Sequence, residues 1–335
     1  MLLAIDVGSS NICFVEGKYK SGIIQITNTA EAKLLPNTVM DGSNKNYASM
    51  VMLINKLLQS KNFKTLSSVI TFNNSSVLSR RLELPMSKPR ELDAMVKNEM
   101  IQMANDSGET VVEYSIIKEA LPKSSTVSIW AYAIDKDLVD EYYTLYRNLR
   151  LKPVAMDVHP NSVEKLFTDA EVNGNDIKNK SVLFADICES TIEFHLFSDN
   201  ERVFSRITPF QTSEFESMFG NMGYKKGDTA FEMLDVSLSK LKEDKMLADI
   251  VEPYFNRMAD EFQKMLQFQL RRDSLHPVTN IYLYGGMSCI KGIEEYVSAL
   301  LGIDVQVINS VSKIKCSEKI NIANYINAVG ALIRL

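Results

Sequence analysis

Two stretches of the chain carry the residue types best suited to polyphosphate chemistry, and they are nearly copies of one another. Residues 3–15 read LAIDVGSSNICFV and residues 183–195 read LFADICESTIEFH. In both, an alternating apolar run ends in Asp, a turn of small residues follows and a second alternating run departs. Leu3, Asp6, Ser10, Ile12 and Phe14 thus align with Leu183, Asp186, Ser190, Ile192 and Phe194 at a constant offset. Tight turns built from Gly and Ser place several backbone N–H groups on one concave side, where they bind phosphate oxygens without crowding. Asp6 and Asp186, at the ends of the leading strands, would face each other across a cleft if the two halves are related by a pseudo-twofold axis. Two such carboxylates suit Mg²⁺, which binds few protein oxygens and keeps waters while bridging phosphates. The bland alternative is a pair of unrelated edge hairpins, because a D-x-G-S turn alone carries little information. A third stretch, YLYGGMSCIKG at 282–292, weighs against it: a strand ending in Gly-Gly before a helix lets a nucleoside lie against bare backbone.

The elements that must position these residues follow from hydrophobic periodicity. Residues 1–16 and 22–30 read as strands of a meander, and Met50, Val51, Leu53, Ile54, Leu57 and Leu58 share one face of a helix over 45–60. Strands at 67–72 and 77–84, a helix over 91–103, strands at 111–118 and 127–134, a helix over 136–149 and a strand at 153–158 come next. A polar stretch at 169–180 marks the junction. Past it lie strands at 182–187, 191–197 and 201–208, a long helix over 249–272 whose methionines are core packing, a strand at 280–284, a helix over 290–301, a strand at 304–308 and a last helix over 322–334. A chain of 335 residues exceeds the usual size of one hydrophobic core, so two domains are expected.

Composition excludes several function classes. Apolar content of 45% and charged content of 24% are those of a globular protein, and a net charge of −5 without a basic cluster argues against nucleic acid. The four cysteines lie far apart, which fits a reducing compartment. His159, His195 and His276 lie at no metal-ligand spacing from a cysteine or another histidine, so a structural zinc is not expected; His159, before Pro160, reads as a helix start. No signal peptide or membrane-spanning run is expected. G-x-x-x-x-G-K-[ST], G-x-G-x-x-G and G-x-S-x-G are all absent, which removes P-loop, dinucleotide-binding and serine-hydrolase readings.

The order hairpin, hairpin, Gly-Gly-helix resembles the actin-like ATPase fold. More narrowly, LLAIDVGSSNICFVEG and VLFADICESTIEFHLF resemble the two phosphate motifs of the PilM family, the cytoplasmic actin-like proteins of type IV pilus assembly. EFQKMLQFQ resembles the long helix before that family's adenosine motif, NIYLYGGMSCIKGIEEYVSALLGIDVQVIN the adenosine motif with its helix and strand, and NYINAVGALIRL the closing helix that returns to the first domain. The resemblance implies an α/β, actin-like (ribonuclease H-like) two-domain fold with a nucleotide cleft. The first domain would be 1–172, joined by the closing helix 320–335, and the second 173–319. The block at 85–158 would be the inserted subdomain that this family shares with the FtsA division proteins.

Carried over position by position, Asp6, Gly8, Ser9, Ser10 and Asn11 match the first phosphate loop, Asp186, Ser190 and Thr191 the second, and Gly285, Gly286 and Met287 the nucleoside side. Glu232, within TAFEML, matches the purine-proximal helix. ATP and Mg²⁺ are the implied cofactors, with Asp6 and Asp186 as metal ligands. The chain departs from the family at Cys188 and Glu189, where a Gly and a small residue are usual, and at Cys13, often Lys. A non-Gly residue forced to positive φ costs about 1–2 kcal/mol, and a carboxylate about 5 Å from a phosphate costs roughly 3 kcal/mol at an effective dielectric near 20. Nucleotide binding is therefore expected to be weakened, with hydrolysis slow or absent. The implied partner is the cytoplasmic N-terminal tail of a PilN-like inner-membrane protein, held as an extended peptide between the insert and the first domain. Pilus motor ATPases are further implied partners. The protein would be cytoplasmic and recruited to the inner face of the membrane without inserting in it. A small-molecule kinase of the same fold would need a catalytic base that the first domain does not display, and an FtsA-like division protein would need an amphipathic membrane helix.

Overall fold

The computed structural model describes residues 1–35, 37–104, 109–118, 125–211, 215 and 234–334. Strands β1 (Leu2–Val7), β2 (Asn11–Lys20) and β3 (Ile23–Lys33) form a meander, followed by helix α1 (Tyr47–Ser60) and strand β4 (Ser67–Phe72). Next come β5 (Leu78–Pro85), α2 (Pro89–Ala104), β6 (Thr110–Lys118), β7 (Thr126–Asp135), α3 (Lys136–Leu149), β8 (Lys152–Val158) and α4 (His159–Phe167). The second half repeats the scheme with β9 (Ser181–Ile187), β10 (Thr191–Ser198), β11 (Glu201–Pro209), α5 (Leu238–Glu243), α6 (Lys245–Arg272), β12 (Val278–Tyr284), α7 (Ile293–Leu301) and β13 (Asp304–Val307). Strand β14 (Ile314–Cys316) and helix α8 (Ile326–Ala331) close the chain.

The duplication read in the sequence is a duplication of sheets. One sheet runs β8-β4-β1-β2-β3-β14 and the other β11-β10-β9-β12-β13. Read from the meander outward, each places its third, second, first, fourth and fifth strands side by side, with β14 added to the first sheet alone. The central strand of each is parallel to one neighbour and antiparallel to the other. Such strands are covered on both faces and read as continuous apolar runs; SVLFADI of β9 is buried at every position.

Helices α4 and α8 fill the layer between the two sheets. Their Val163, Leu166, Phe167, Ile326 and Val329 share one core with Ala4, Val15 and Val69 from the first sheet and Val182, Phe184 and Tyr282 from the second. The two helices approach so closely that a Cβ at Gly330 would lie 2.2 Å from the Ser162 carbonyl oxygen. The outer faces are covered by α1 and α3 on the first sheet and by α6 and α7 on the second, and Met258 and Met265 of α6 are core residues as the periodicity implied. Local signals fix these helices: the Asn46, Asp135 and Asp244 side chains cap α1, α3 and α6, and Arg150 ends α3 in the left-handed conformation.

The insert differs from its sequence boundary of 85–158. Its own sheet, β5-β7-β6 with α2 against it, begins at Leu78. Helix α3 and strand β8 belong instead to the first sheet and its core. The physical reason is the apolar face of α3, whose Leu138, Tyr142, Leu145 and Tyr146 pack on Ile5 and Phe14, while the Tyr146 hydroxyl accepts a hydrogen bond from the Ile70 amide (2.7 Å) and donates to the Ala155 carbonyl (2.9 Å). Among the described residues, no helix is long and apolar enough to cross a membrane.

Candidate functional site

The two repeated turns meet at the centre of the molecule. Their backbones are built alike: Gly8 N–H donates to the Asn11 carbonyl and Cys188 N–H to the Thr191 carbonyl, both at 3.0 Å. The third strand of each meander then closes on the turn, through Leu34 N to Ser10 O (2.6 Å) and Phe210 N to Ser190 O (2.8 Å). Among the described residues no backbone carbonyl accepts from the amides of Ser9, Ser10, Glu189 or Ser190. Such unpaired amides on concave turns are anion-binding groups. The turns also touch, since Ser9 Oγ and Ser190 Oγ are 2.6 Å apart.

Behind the turns lies a buried polar network that joins the two carboxylates expected to face each other. His159, the first residue of α4, places Nε2 2.8 Å from Asp6 Oδ1 and Nδ1 3.1 Å from both carboxylate oxygens of Glu193. Asn327 of α8 donates to Asp186 Oδ2 at 2.8 Å and has its amide nitrogen 3.3 Å from His159 Nδ1. Asp6, Asp186, Glu193, His159 and Asn327 are all buried. Three carboxylates thus gather around one imidazole in a largely buried space, and burying charge without compensation is expensive. Burial alone would keep His159 neutral, but the charges of Glu193 and Asp6 outweigh it and raise its pKa well above the usual value, so it is an imidazolium bonded to both. For Asp186, burial first and the Glu193 charge second push the pKa up to about 7. A carboxyl group half protonated near neutrality marks a site short of positive charge. Burial likewise raises the thiols of Cys13 and Cys188, and Cys188 Sγ donates to Asp186 Oδ1 at 3.2 Å.

Gly285, Gly286 and Met287 separate into three roles. Gly285 has φ +89°, and a Cβ there would lie 2.0 Å from Asp186 Oδ1, so its bareness makes room for the carboxylate rather than for a nucleoside. Gly286 borders open space, where a Cβ would meet only Asn11 Nδ2, at 3.4 Å. Met287 turns into the core of the second half, with its sulfur 3.6 Å from the Tyr254 hydroxyl. Thr191 contributes its carbonyl to the second turn. Glu232 lies outside the described residues. Sequence reasoning missed His159, Glu193 and Asn327. Glu193 sat inside the quoted repeat, paired with Asp186 as Cys13 is paired with Asp6. The convergence of α4 and α8 on it is tertiary and leaves no local pattern.

The family model for the type IV pilus assembly protein PilM matches residues 4–332. The chain belongs to this family. Among curated proteins none matches the sequence. Among solved structures, the chain is similar to a PilM-PilN type IV pilus biogenesis complex, with TM-score 0.78 and 18% identity over 99% of this chain and 97% of that one. It is also similar to the ethanolamine utilization protein EutJ from Carboxydothermus hydrogenoformans (TM-score 0.57, 12% identity, 98% and 88% covered) and to MreB5 of Spiroplasma citri bound to ADP (TM-score 0.51, 9% identity, 98% and 94% covered). These likenesses establish the actin-like fold.

Both departures from the PilM pattern at the second turn are accommodated. Neither Cys188 nor Glu189 has positive φ, so the strain expected of a non-Gly residue does not arise. Glu189 pairs with Lys33 of β3 at 3.2 Å, and this contact spans the two halves beside the turn-to-turn bond. The like-charge objection to Glu189 is reduced accordingly, because the cation that the first turn lacks at Cys13 is supplied from the end of the same meander.

Proposed function

We propose that this PilM-family protein is an actin-like, nucleotide-binding scaffold of the type IV pilus machine that holds the cytoplasmic N-terminal tail of a PilN-like inner-membrane protein, and is thereby recruited to the inner face of the membrane. One observation carries the peptide part. A groove of about 640 Å³ lies between the insert and the first sheet, lined by Tyr114, Ile134, Val139, Tyr143, Met156 and Arg334 among others. Strands β6 and β8, which contribute to it, are each the edge of their sheet. An edge offers unpaired backbone N–H and C=O groups to an extended chain, and flanking apolar pockets take its alternate side chains. The similarity over almost the whole chain to a structure described as a PilM-PilN complex supports the same reading.

The cleft part rests on the paired turns. Their free amides suit a polyphosphate, and a Cβ on Gly286 would lie 3.4 Å from Asn11 Nδ2 of the first turn. The shortage of positive charge around Asp6 and Asp186 fits a divalent cation; Mg²⁺, when bound with nucleotide, would be held by these two carboxylates and would neutralise phosphate charge. His159 occupies both of its ring nitrogens with carboxylates and is not free to act as a base toward water, which accords with slow or absent hydrolysis. Calorimetric titration with a synthetic N-terminal PilN-like peptide tests the scaffold reading. Saturable binding that Tyr143→Asp weakens at least about tenfold, roughly 1.4 kcal/mol, with Mg-ATP binding unchanged, is the expected result; equal binding by the variant would rule out this groove.

A further inference from the structure

One edge of the first sheet gathers cations that the sequence keeps apart. Strands β1, β4 and β8 begin there and β2 ends there, as the pairing of Leu2 with Gly17, Leu3 with Ser68 and Lys152 with Ser67 shows. Helices α1 and α3 end there too, each leading within a few residues into β4 or β8. Lys61 and Lys64 follow α1, Arg150 follows α3, Lys152 opens β8, and Lys18 and Lys20 close β2; all six are exposed. Tyr19 packs on the core between the sheets, so by alternation Lys18 and Lys20 point to the outer face, where α1 and α3 lie. The loop after α1 is held onto that face, because Asn28 Nδ2 donates to the Lys61 carbonyl at 2.7 Å and Glu16 Oε1 accepts from the amides of Lys64 (2.9 Å) and Thr65 (2.8 Å).

The charge of this rim is one-sided. Residues 16–20, 60–67 and 149–154 contain one acid, Glu16, and it is buried with its carboxylate turned onto those amides. Among the described residues, none of the six cations forms an ion pair. The whole chain has a net charge of −5, so the remaining surface is more acidic than that figure, and this rim is the face that an anionic surface attracts. Leu66 and Val154, 53% and 49% exposed, stand among the cations. Cations set around exposed apolar side chains suit the headgroup layer of an anionic bilayer. A single-stranded nucleic acid would ask for aromatic platforms, and the rings here, Tyr19 and Phe63, pack into the cores instead. We infer that this rim binds anionic phospholipid headgroups, seating the protein on the membrane surface by charge and without insertion. Strand β8 joins the rim to the groove, since Lys152 stands at the one while Ala155 and Met156 line the other. Where the inference rests on the groove reading, it adds a direction: a tail paired antiparallel to β8 leaves the groove toward the bilayer.

The test uses the full chain without peptide. Its sedimentation with vesicles of phosphatidylcholine alone is compared with that on vesicles of phosphatidylcholine and phosphatidylglycerol in equal parts. Binding is expected on the anionic vesicles only, and it should disappear at about 0.5 M salt, where the screening length falls to a few ångström. Each basic side chain near an anionic surface strengthens binding about fivefold, roughly 1 kcal/mol. Lys61→Gln combined with Lys64→Gln should therefore lower the partition coefficient at least about tenfold. Lys242→Gln combined with Lys245→Gln, the same charge change on the exposed surface of the second half, should leave it within about twofold. No binding to anionic vesicles, equal binding to phosphatidylcholine, a partition coefficient unaltered by Lys61→Gln with Lys64→Gln, or tighter binding to a DNA duplex of random sequence than to the anionic vesicles would overturn the inference. Titration with the PilN-like peptide keeps the two readings apart: peptide binding without vesicle binding overturns the rim alone, and vesicle binding without peptide binding leaves the rim standing while the groove falls.

Discussion

The two hairpins share a backbone and differ in charge. In the first, Asp6 stands opposite Cys13; in the second, Asp186 stands opposite Glu193. Register, turn hydrogen bonds and the closing contact of the third strand are the same in both. Next to the turn, the first hairpin therefore pairs a buried carboxylate with a thiol, and the second pairs two buried carboxylates. Its compensation comes from elsewhere in the chain, as the imidazolium of His159 from the first half and the amide of Asn327 from the closing helix. The two turns keep one backbone geometry. The charges diverged, and the helices between the sheets became the place where they are balanced.

The largest way to break this comparison is to remove the shared cation. In His159→Ala, Asp6 and Glu193 lose their common partner and three carboxylates are left buried together. Removing one partner of a buried ion pair costs about 3–5 kcal/mol, so urea unfolding at neutral pH should show a loss of that size. A loss below about 1 kcal/mol, the value of an exposed pair, would mean that the network is open to water.

A smaller effect separates the two aspartates. With its pKa raised to about 7, Asp186 holds a proton in the folded protein that it gives up when unfolded. The linked stability is fully present below pH 4 and is lost as pH rises through about 7, since the folded state binds the extra proton across that window. Asp186→Asn, neutral throughout, should gain on wild type from pH 5 to pH 8, by roughly 1–3 kcal/mol at the upper end. Asp6→Asn should instead be less stable than wild type at neutral pH, because its carboxylate is bonded to His159 Nε2 at 2.8 Å. Thermal unfolding of both variants in chelator across this range checks the contrast, and parallel curves would erase it.

The pattern of what was legible in the sequence follows from range. Alternation over 3–15 and 183–195 is local, and it showed the strands and turns of both hairpins. Helix α3 was legible to the residue because Asp135 caps it and its apolar face repeats at helical spacing. Helix α4 was glimpsed only in His159-Pro160, since its Val163, Leu166 and Phe167 make a short stripe that means little until two sheets close on it. The extent of the insert was misread for a related reason: periodicity shows that β8 is a strand without showing which sheet it joins. His195 stands at no metal-ligand spacing in the sequence, and only the tertiary structure shows its Nε2 3.9 Å from Glu193 Oε2.

The smallest effect concerns the charges at the mouth of the cleft. If Glu189 faced a phosphate alone, its charge at about 5 Å would cost roughly 3 kcal/mol at an effective dielectric near 20. Lys33, 3.2 Å from it, turns that charge into a partly exposed ion pair whose field on a nearby phosphate largely cancels. Glu189→Gln should therefore change the affinity for Mg-ATP by less than about tenfold, or 1.4 kcal/mol, and Lys33→Met should weaken it more than Glu189→Gln alters it. The double variant should return close to wild type, because it removes the unbalanced carboxylate along with its partner. Calorimetric titration of the three proteins is decisive. If Lys33→Met binds nucleotide as wild type does, Glu189 does not face the phosphates, and the second hairpin is less a copy of the first than its backbone implies.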